Sequence, residues 1–223
     1  MKRTAFVFFL SIFIAILSLN CIAENQYKVP ADSYKLSDPK KTDMNTWEKV
    51  EAAENEPPGW WPILQIVLLP NVPSYVSKNL YGLRFGPFYS GGSGCVYGME
   101  FSPFVACSDY VEGIQMSFIK NDSLQFYGFR MSTVNISREK SSGFQMAIAN
   151  LNKDKAEGFD LGFINNTKNE MAGLQMGMAN LATRPKFQIG IINYAMDYGI
   201  QIGGFNIIQN GWLPFFPGIN FNF

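Results

Sequence analysis

From Gly82 to Ile207 apolar residues alternate with small or polar ones, and a polar turn interrupts the alternation at a nearly fixed interval. Alternation with period two predicts strands with one apolar face. The pattern is organised as nine copies of Gly-Φ-Gln-Φ-small-Φ-Φ-Asn, Φ being apolar, and the clearest copy runs from Gly173 to Asn180. The third place is held in turn by Arg84, Glu100, Gln115, Arg130, Gln145, Asp160, Gln175, Gln188 and Gln201. Their spacings are 16, then 15 five times, then 13 twice. Such an interval holds one strand and one turn, so this region is a stack or a closed row of strands.

The two faces differ sharply. Second, fourth and sixth places, such as Phe144, Met146 and Ile148, are apolar or proline in every copy, with Thr133 and Gly204 the departures. The other face carries Gln, Arg, Glu or Asp at place three and only Gly, Ser or Ala at place five. Turns are expected at Ser137–Lys140, Asn152–Lys155 and Arg184–Lys186, and no helical period occurs in this stretch. Burying one large apolar side chain contributes roughly 1.5–3 kcal/mol, so a face of this size must be covered. Lipid, the inside of a β-solenoid, or a second layer would cover it, and the chain offers no helices for a second layer.

These features predict an all-β fold: a repeat-built antiparallel β-barrel of the outer-membrane type, with about 10–12 strands. Its apolar face would meet lipid, and the nine third-place residues would line the lumen. Tyr81, Tyr97, Tyr127 and Tyr198 each precede a repeat glycine and would form an interfacial girdle. The alternative is a β-solenoid. The repeated glycine and asparagine places argue for one environment at every strand, with Asn150, Asn165, Asn180, Asn193 and Asn206 stacked into hydrogen-bonded ladders and a glutamine ladder left exposed. Gln-x-Gly-x-x-Asn is similar to the spacing of curli-type solenoid units. Apolar place seven and Pro87 and Pro103 count against the solenoid, although the prolines trouble a barrel too.

Outside the repeats the chain divides into further parts. Residues 1–23 read as a secretory signal: Lys2 and Arg3, an apolar run from Ala5 to Leu19, then Cys21-Ile22-Ala23 as a cleavage site. In the competing reading Cys21 is a lipidated first residue. Residues 24–59 are charged and proline-bearing and read as a flexible polar tether with a short helix near Asn45–Glu48. Residues 60–223 form the β-repeat domain, with Ile63–Leu69 as an extra strand carrying Gln65 in the third place. The chain closes on Ile219, Phe221 and Phe223 in alternation. That ending resembles the terminal strand of outer-membrane barrels, so the barrel-assembly machinery, reading Phe223, is an expected partner beside membrane lipid.

Composition narrows the function classes. Lysine plus arginine and aspartate plus glutamate both number 18, which leaves no basic footprint for nucleic acid. Histidine, the usual general base and metal ligand, is absent from the chain. Asp160 and Glu100 as an acid–base pair would be the one enzymatic reading, and paired structural charges explain them better. No catalytic residue, metal site or cofactor is therefore expected. Asn121, Asn135 and Asn165 head glycosylation-like triplets and read as turn chemistry. Twelve extended residues would part Cys95 and Cys107 by roughly 40 Å, too far for a disulfide unless Pro103 breaks that strand into a hairpin.

Tyr81-Gly82-Leu83-Arg84-Phe85, Tyr97-Gly98-Met99-Glu100-Phe101 and the repeated Gly-Φ-Gln-Φ-Gly-Φ-Φ-Asn, with Leu213-Pro214-Phe215-Phe216-Pro217 at the end, resemble the leptospiral-type surface-repeat proteins of bacteria. The resemblance spans about residues 60–223 and implies the outer membrane or cell surface of a Gram-negative-type bacterium. It brings no catalytic residues. The expected function is a non-enzymatic envelope protein with a structural, adhesive or narrow-pore role. The alternative is a secreted or lipid-anchored solenoid that binds partners through its exposed polar face.

Overall fold

The computed structural model describes residues 63–68 and 79–223; the expected signal, Cys21 and the tether lie outside the described residues. Nine strands follow one another: β1 (Leu64–Ile66), β2 (Leu80–Phe85), β3 (Tyr89–Ser102), β4 (Val105–Ser117), β5 (Lys120–Met131), β6 (Val134–Asn152), β7 (Lys155–Ala195), β8 (Gly199–Ile208) and β9 (Phe215–Asn222). Each lies beside its sequence neighbour in a single sheet. From β1 to β8 the pairing is parallel, and it matches repeat to repeat: Gly143 lies beside Gly158, Gln145 beside Asp160 and Asn150 beside Asn165.

Adjacent parallel strands need the chain to return to its starting side between them. Here the repeat itself makes that return, so each copy is one coil of a parallel β-solenoid of about nine turns. The 41 residues of β7 wind through more than two coils without a break in strand geometry. The expected turns at Ser137–Lys140 and Arg184–Lys186 are thus corners inside continuous strands. Pro87 and Pro103 fall in the short gaps between β2, β3 and β4, where no ladder hydrogen bond is required of them.

The barrel expectation is therefore wrong. An up-and-down barrel reverses direction at every strand and would pair unlike repeat places, whereas this register pairs like with like. Among the described residues only β9 runs antiparallel, across β8, with Gln201 opposite Asn220 and Ile202 opposite Ile219. Phe223 follows that strand and is 93% exposed, with no barrel seam for it to close. The interfacial girdle becomes a stack of rings: Tyr81 lies on Tyr97 at 5.0 Å, and Tyr110 joins Tyr97 and Tyr127.

Repeat glycines allow the coils to approach. Gly143 and Gly158 have φ of 119° and 102°. A β-carbon on either would stand 2.1 or 2.2 Å from the carbonyl oxygen of the glycine one coil earlier. Buried apolar side chains are few and grouped. Leu80, Val96, Val111 and Phe126 stack in the first coils, and Ala156, Met171 and Ala182 in later ones.

Candidate functional site

All nine third-place residues point into the solenoid. Arg84, Gln115, Arg130, Gln145, Asp160, Gln175, Gln188 and Gln201 are fully buried, and Glu100 is 1% exposed. They face no lumen, because the narrow coil brings the opposite arm against them and its polar side chains bond to them. The solenoid alternative is corrected as well. Its glutamine ladder is the interior, and its apolar face is the outside.

That inversion is feasible because the interior polar atoms have partners at the spacing of the rungs. Asn121, Asn135, Asn150, Asn165, Asn180, Asn193 and Asn206 form one file. Each side-chain amide donates to the oxygen of the next at 2.8–3.0 Å. Each amide also reaches a main-chain carbonyl of the next coil, as Asn180 does to Ile189 at 2.9 Å. Asn121, Asn135 and Asn165 are thus ladder members and not turn residues. Fifth-place glycines make room for them: a β-carbon on Gly177 would come within 2.8 Å of the Asn165 amide nitrogen.

A second file runs through the third places. Gln201 donates to Gln188 and Gln188 to Gln175, each at 2.9 Å. Gln175 donates to Thr167 Oγ1 at 3.1 Å on the short arm. Towards the amino terminus the file becomes charged. Arg130 Nε donates to Gln145 Oε1 at 2.8 Å, and Gln145 Nε2 donates to Asp160 Oδ1, also at 2.8 Å. Gln145 so links a cation and an anion two coils apart. Asn152 supplies the other Asp160 oxygen at 2.9 Å, and Ser123 accepts from Arg130 Nη1 at 3.2 Å.

Arg84 and Glu100 form a closer pair at 3.9 Å. Ser108 sits between them, accepting from Arg84 and donating to Glu100, each at 2.8 Å. Of these partners across the coil, the sequence alone places Asn152 in a turn and assigns Ser90, Ser108, Ser123 and Thr167 no bonding role. Their signal is a polar residue two places after the asparagine position, as in Ser108, Ser123, Asn152 and Thr167, while Ser90 stands at that position itself.

Burial governs the titration of these groups. Removal from water raises the Asp160 carboxyl to about 6 against the pull of Arg130 and of its hydrogen bonds. Desolvation draws Arg130 down to about 10, with Asp160 opposing, and draws Arg84 down against Glu100. Asp109, half-buried near the surface, is likewise raised by desolvation to about 6. Asp160 and Glu100 sit on different coils, each engaged by its own donors. Among the described residues no group of three or more Cys, Asp or Glu is placed to hold a metal ion.

Cys95 is a free thiol. Cys107 lies opposite Gly91, and Cys95 opposite Tyr110, so the two cysteines occupy different places along neighbouring rungs. The expectation that the two are not bonded to each other holds, though its geometry does not, because the chain coils instead of extending.

The outer surface is split. Places two, four, six and seven form an apolar flank, in which Phe163 is 58% exposed, Phe205 55% and Ile148 53%. Rings stack along it, Phe129 on Phe144 at 5.5 Å and Phe144 on Phe159 at 5.1 Å. Beside this flank the surface is charged, with Lys153, Lys155 and Lys168 exposed and Lys140, which lies over the Tyr127 ring, paired to Glu157 at 3.1 Å. No protein-family model matches the chain, and neither a curated protein nor a solved structure matches it.

Proposed function

We propose that this chain is a non-enzymatic surface protein of a bacterial envelope, a β-solenoid that binds partners on its outer surface. One observation carries the reading: hydrogen-bonded Gln, Asn, Ser and Arg side chains occupy the interior, so recognition falls to the exterior. A solenoid presents repeated side chains at a constant pitch, which suits extended partners. The charged edge bearing Lys153, Lys155 and Lys168 replaces the glutamine ladder as the polar binding face. The leader-like residues 1–23, the polar stretch 24–59 and the resemblance to leptospiral-type surface-repeat proteins support an exported position.

The test is labelling of intact cells that produce the full chain, using a membrane-impermeant amine reagent. Modification of Lys153, Lys155 and Lys168 before lysis is expected. Modification only after lysis would contradict a surface position.

A further inference from the structure

The apolar flank is the feature that the surface-binding reading leaves unexplained. A monomer rarely leaves more than a few hundred Å² of contiguous apolar surface in water. Here the flank continues past both ends of the repeats. On β1, Leu64 and Ile66 lie opposite Leu83 and Phe85; on β9, Phe221 and Ile219 lie opposite Ile200 and Ile202. Nine repeat rungs with β1 before them and β9 after make eleven. At a strand spacing of ~4.8 Å and a residue rise of ~3.3 Å, the part between places two and six measures ~48 by ~13 Å.

The relief of this flank is regular. One row of side chains stands at place four, as in Met146, Leu161 and Met176, and another at place six, as in Phe163 and Met178. Between them runs an open trough of about 680 Å³, floored by the backbone of Gly162, Gly177, Gly190 and Gly203. A row of apolar side chains at the rung spacing is what would fill such a trough. A second copy of this chain carries that row at the identical pitch.

We infer that the flank is covered by the same flank of a second copy, the two solenoids lying face to face about a twofold axis. The place-four row of each enters the trough of the other, an isologous contact in which every ridge meets its own complement. The area agrees with this. Two flanks of ~600 Å² each bury ~1,200 Å² together, which is what a specific protein interface requires. Charge agrees too: the margin beside the ring stack from Tyr81 to Tyr127 is mixed in sign, Lys140 over Tyr127 being paired to Glu157 and Tyr110 donating to Glu112, where a lipid-seeking surface would be cationic. The inference goes beyond the surface-binding reading and does not depend on cellular location.

The test is sedimentation equilibrium of the purified full chain across a micromolar range. Twice the single-chain mass is expected, with Met176→Lys weakening association at least tenfold while the circular dichroism spectrum is kept. Lys168→Glu on the charged edge should leave association unchanged. Hydroxyl-radical footprinting of the unmodified chain gives a readout free of folding effects: Met146, Met176 and Met178 should be protected at high concentration and reactive on dilution. A monomer at every concentration, a dimer indifferent to Met176→Lys, or flotation of monomer with phosphatidylcholine vesicles would each overturn the inference.

Discussion

The first coils and the last coils solve the same packing problem with different chemistry. From Gln175 onwards the third-place file is neutral, and Gln188 and Gln201 repeat one bond at one length. Between Arg84 and Asp160 the file carries two cations and two anions among its glutamines, and each ion needs its own serine, asparagine or glutamine on a neighbouring coil. The pairing slips between Gly92 and Cys95 and between Ser123 and Gln125 in the charged half, and between Gly203 and Asn206 against β9 in the neutral one, so slips occur in both. A neutral amide is both donor and acceptor, so identical amides serve one another at any rung. A buried ion is only one of these and must be matched locally.

This contrast orders the expected effects of substitution. The largest belongs to the charged half. Arg130→Met leaves Asp160 buried without its cation and should cost about 3–5 kcal/mol in urea unfolding. Adding Asp160→Leu should recover part of that loss, because the uncompensated charge goes with it. If the two losses simply add, Gln145 does not link them.

Backbone closeness should come next, and it should be the same in both halves. Gly158→Ala places a methyl group 2.2 Å from the Gly143 carbonyl oxygen at φ 102°. A loss of about 2–3 kcal/mol is expected by thermal unfolding. A neutral outcome would mean that the coils are not this close.

The asparagine file allows a finer comparison. Asn180 lies inside the file, bonded to Asn165, Asn193 and Ile189, and Asn180→Ala should cost about 2–3 kcal/mol. Asn121 begins it, and its partner Asn135 also accepts from Ser132 at 2.9 Å. Asn121→Ala should cost about 1 kcal/mol. Equal losses would show that the file is not cooperative along its length.

The last expected effect is a slope with pH. Folding raises Asp160 to about 6 from an ordinary 3.8, so the folded chain holds a proton that the unfolded chain has released. Stability should therefore fall as pH rises through the window from about 4 to 6. Asp109, raised to about 6, contributes in the same direction. Asp160→Asn should flatten the unfolding midpoint across that window and leave the smaller slope from Asp109.

Much of this was legible in the chain. The repeat, its period, the two-faced strands, Gln65 in the third place and the asparagine ladder were all readable from spacing. Sidedness was not. Alternation separates Gln145 from Met146 but does not say which of them lies inside, and the transfer of apolar surface from water argues for Met146. What reverses that argument is the hydrogen-bond supply from parallel neighbours. It depends on Asn152, Thr167 and Ser108 standing across the coil, a relation between arms that strand periodicity cannot express. Pro87, Pro103 and the apolar seventh place misled for a related reason: they were judged as parts of straight strands, and they stand at corners.

Strand direction underlies every step from repeat to inverted coil, so it is the claim to test first. Ser142 and Glu157 are partners on adjacent rungs of β6 and β7. In antiparallel strands these places would sit at opposite ends, ~25–30 Å apart by strand rise. Spin labels on Ser142→Cys and Glu157→Cys, with the native cysteines replaced by serine, should show strong dipolar broadening in a parallel solenoid. A resolved distance near ~25–30 Å, the strand-rise figure for reversed strands, would contradict the account.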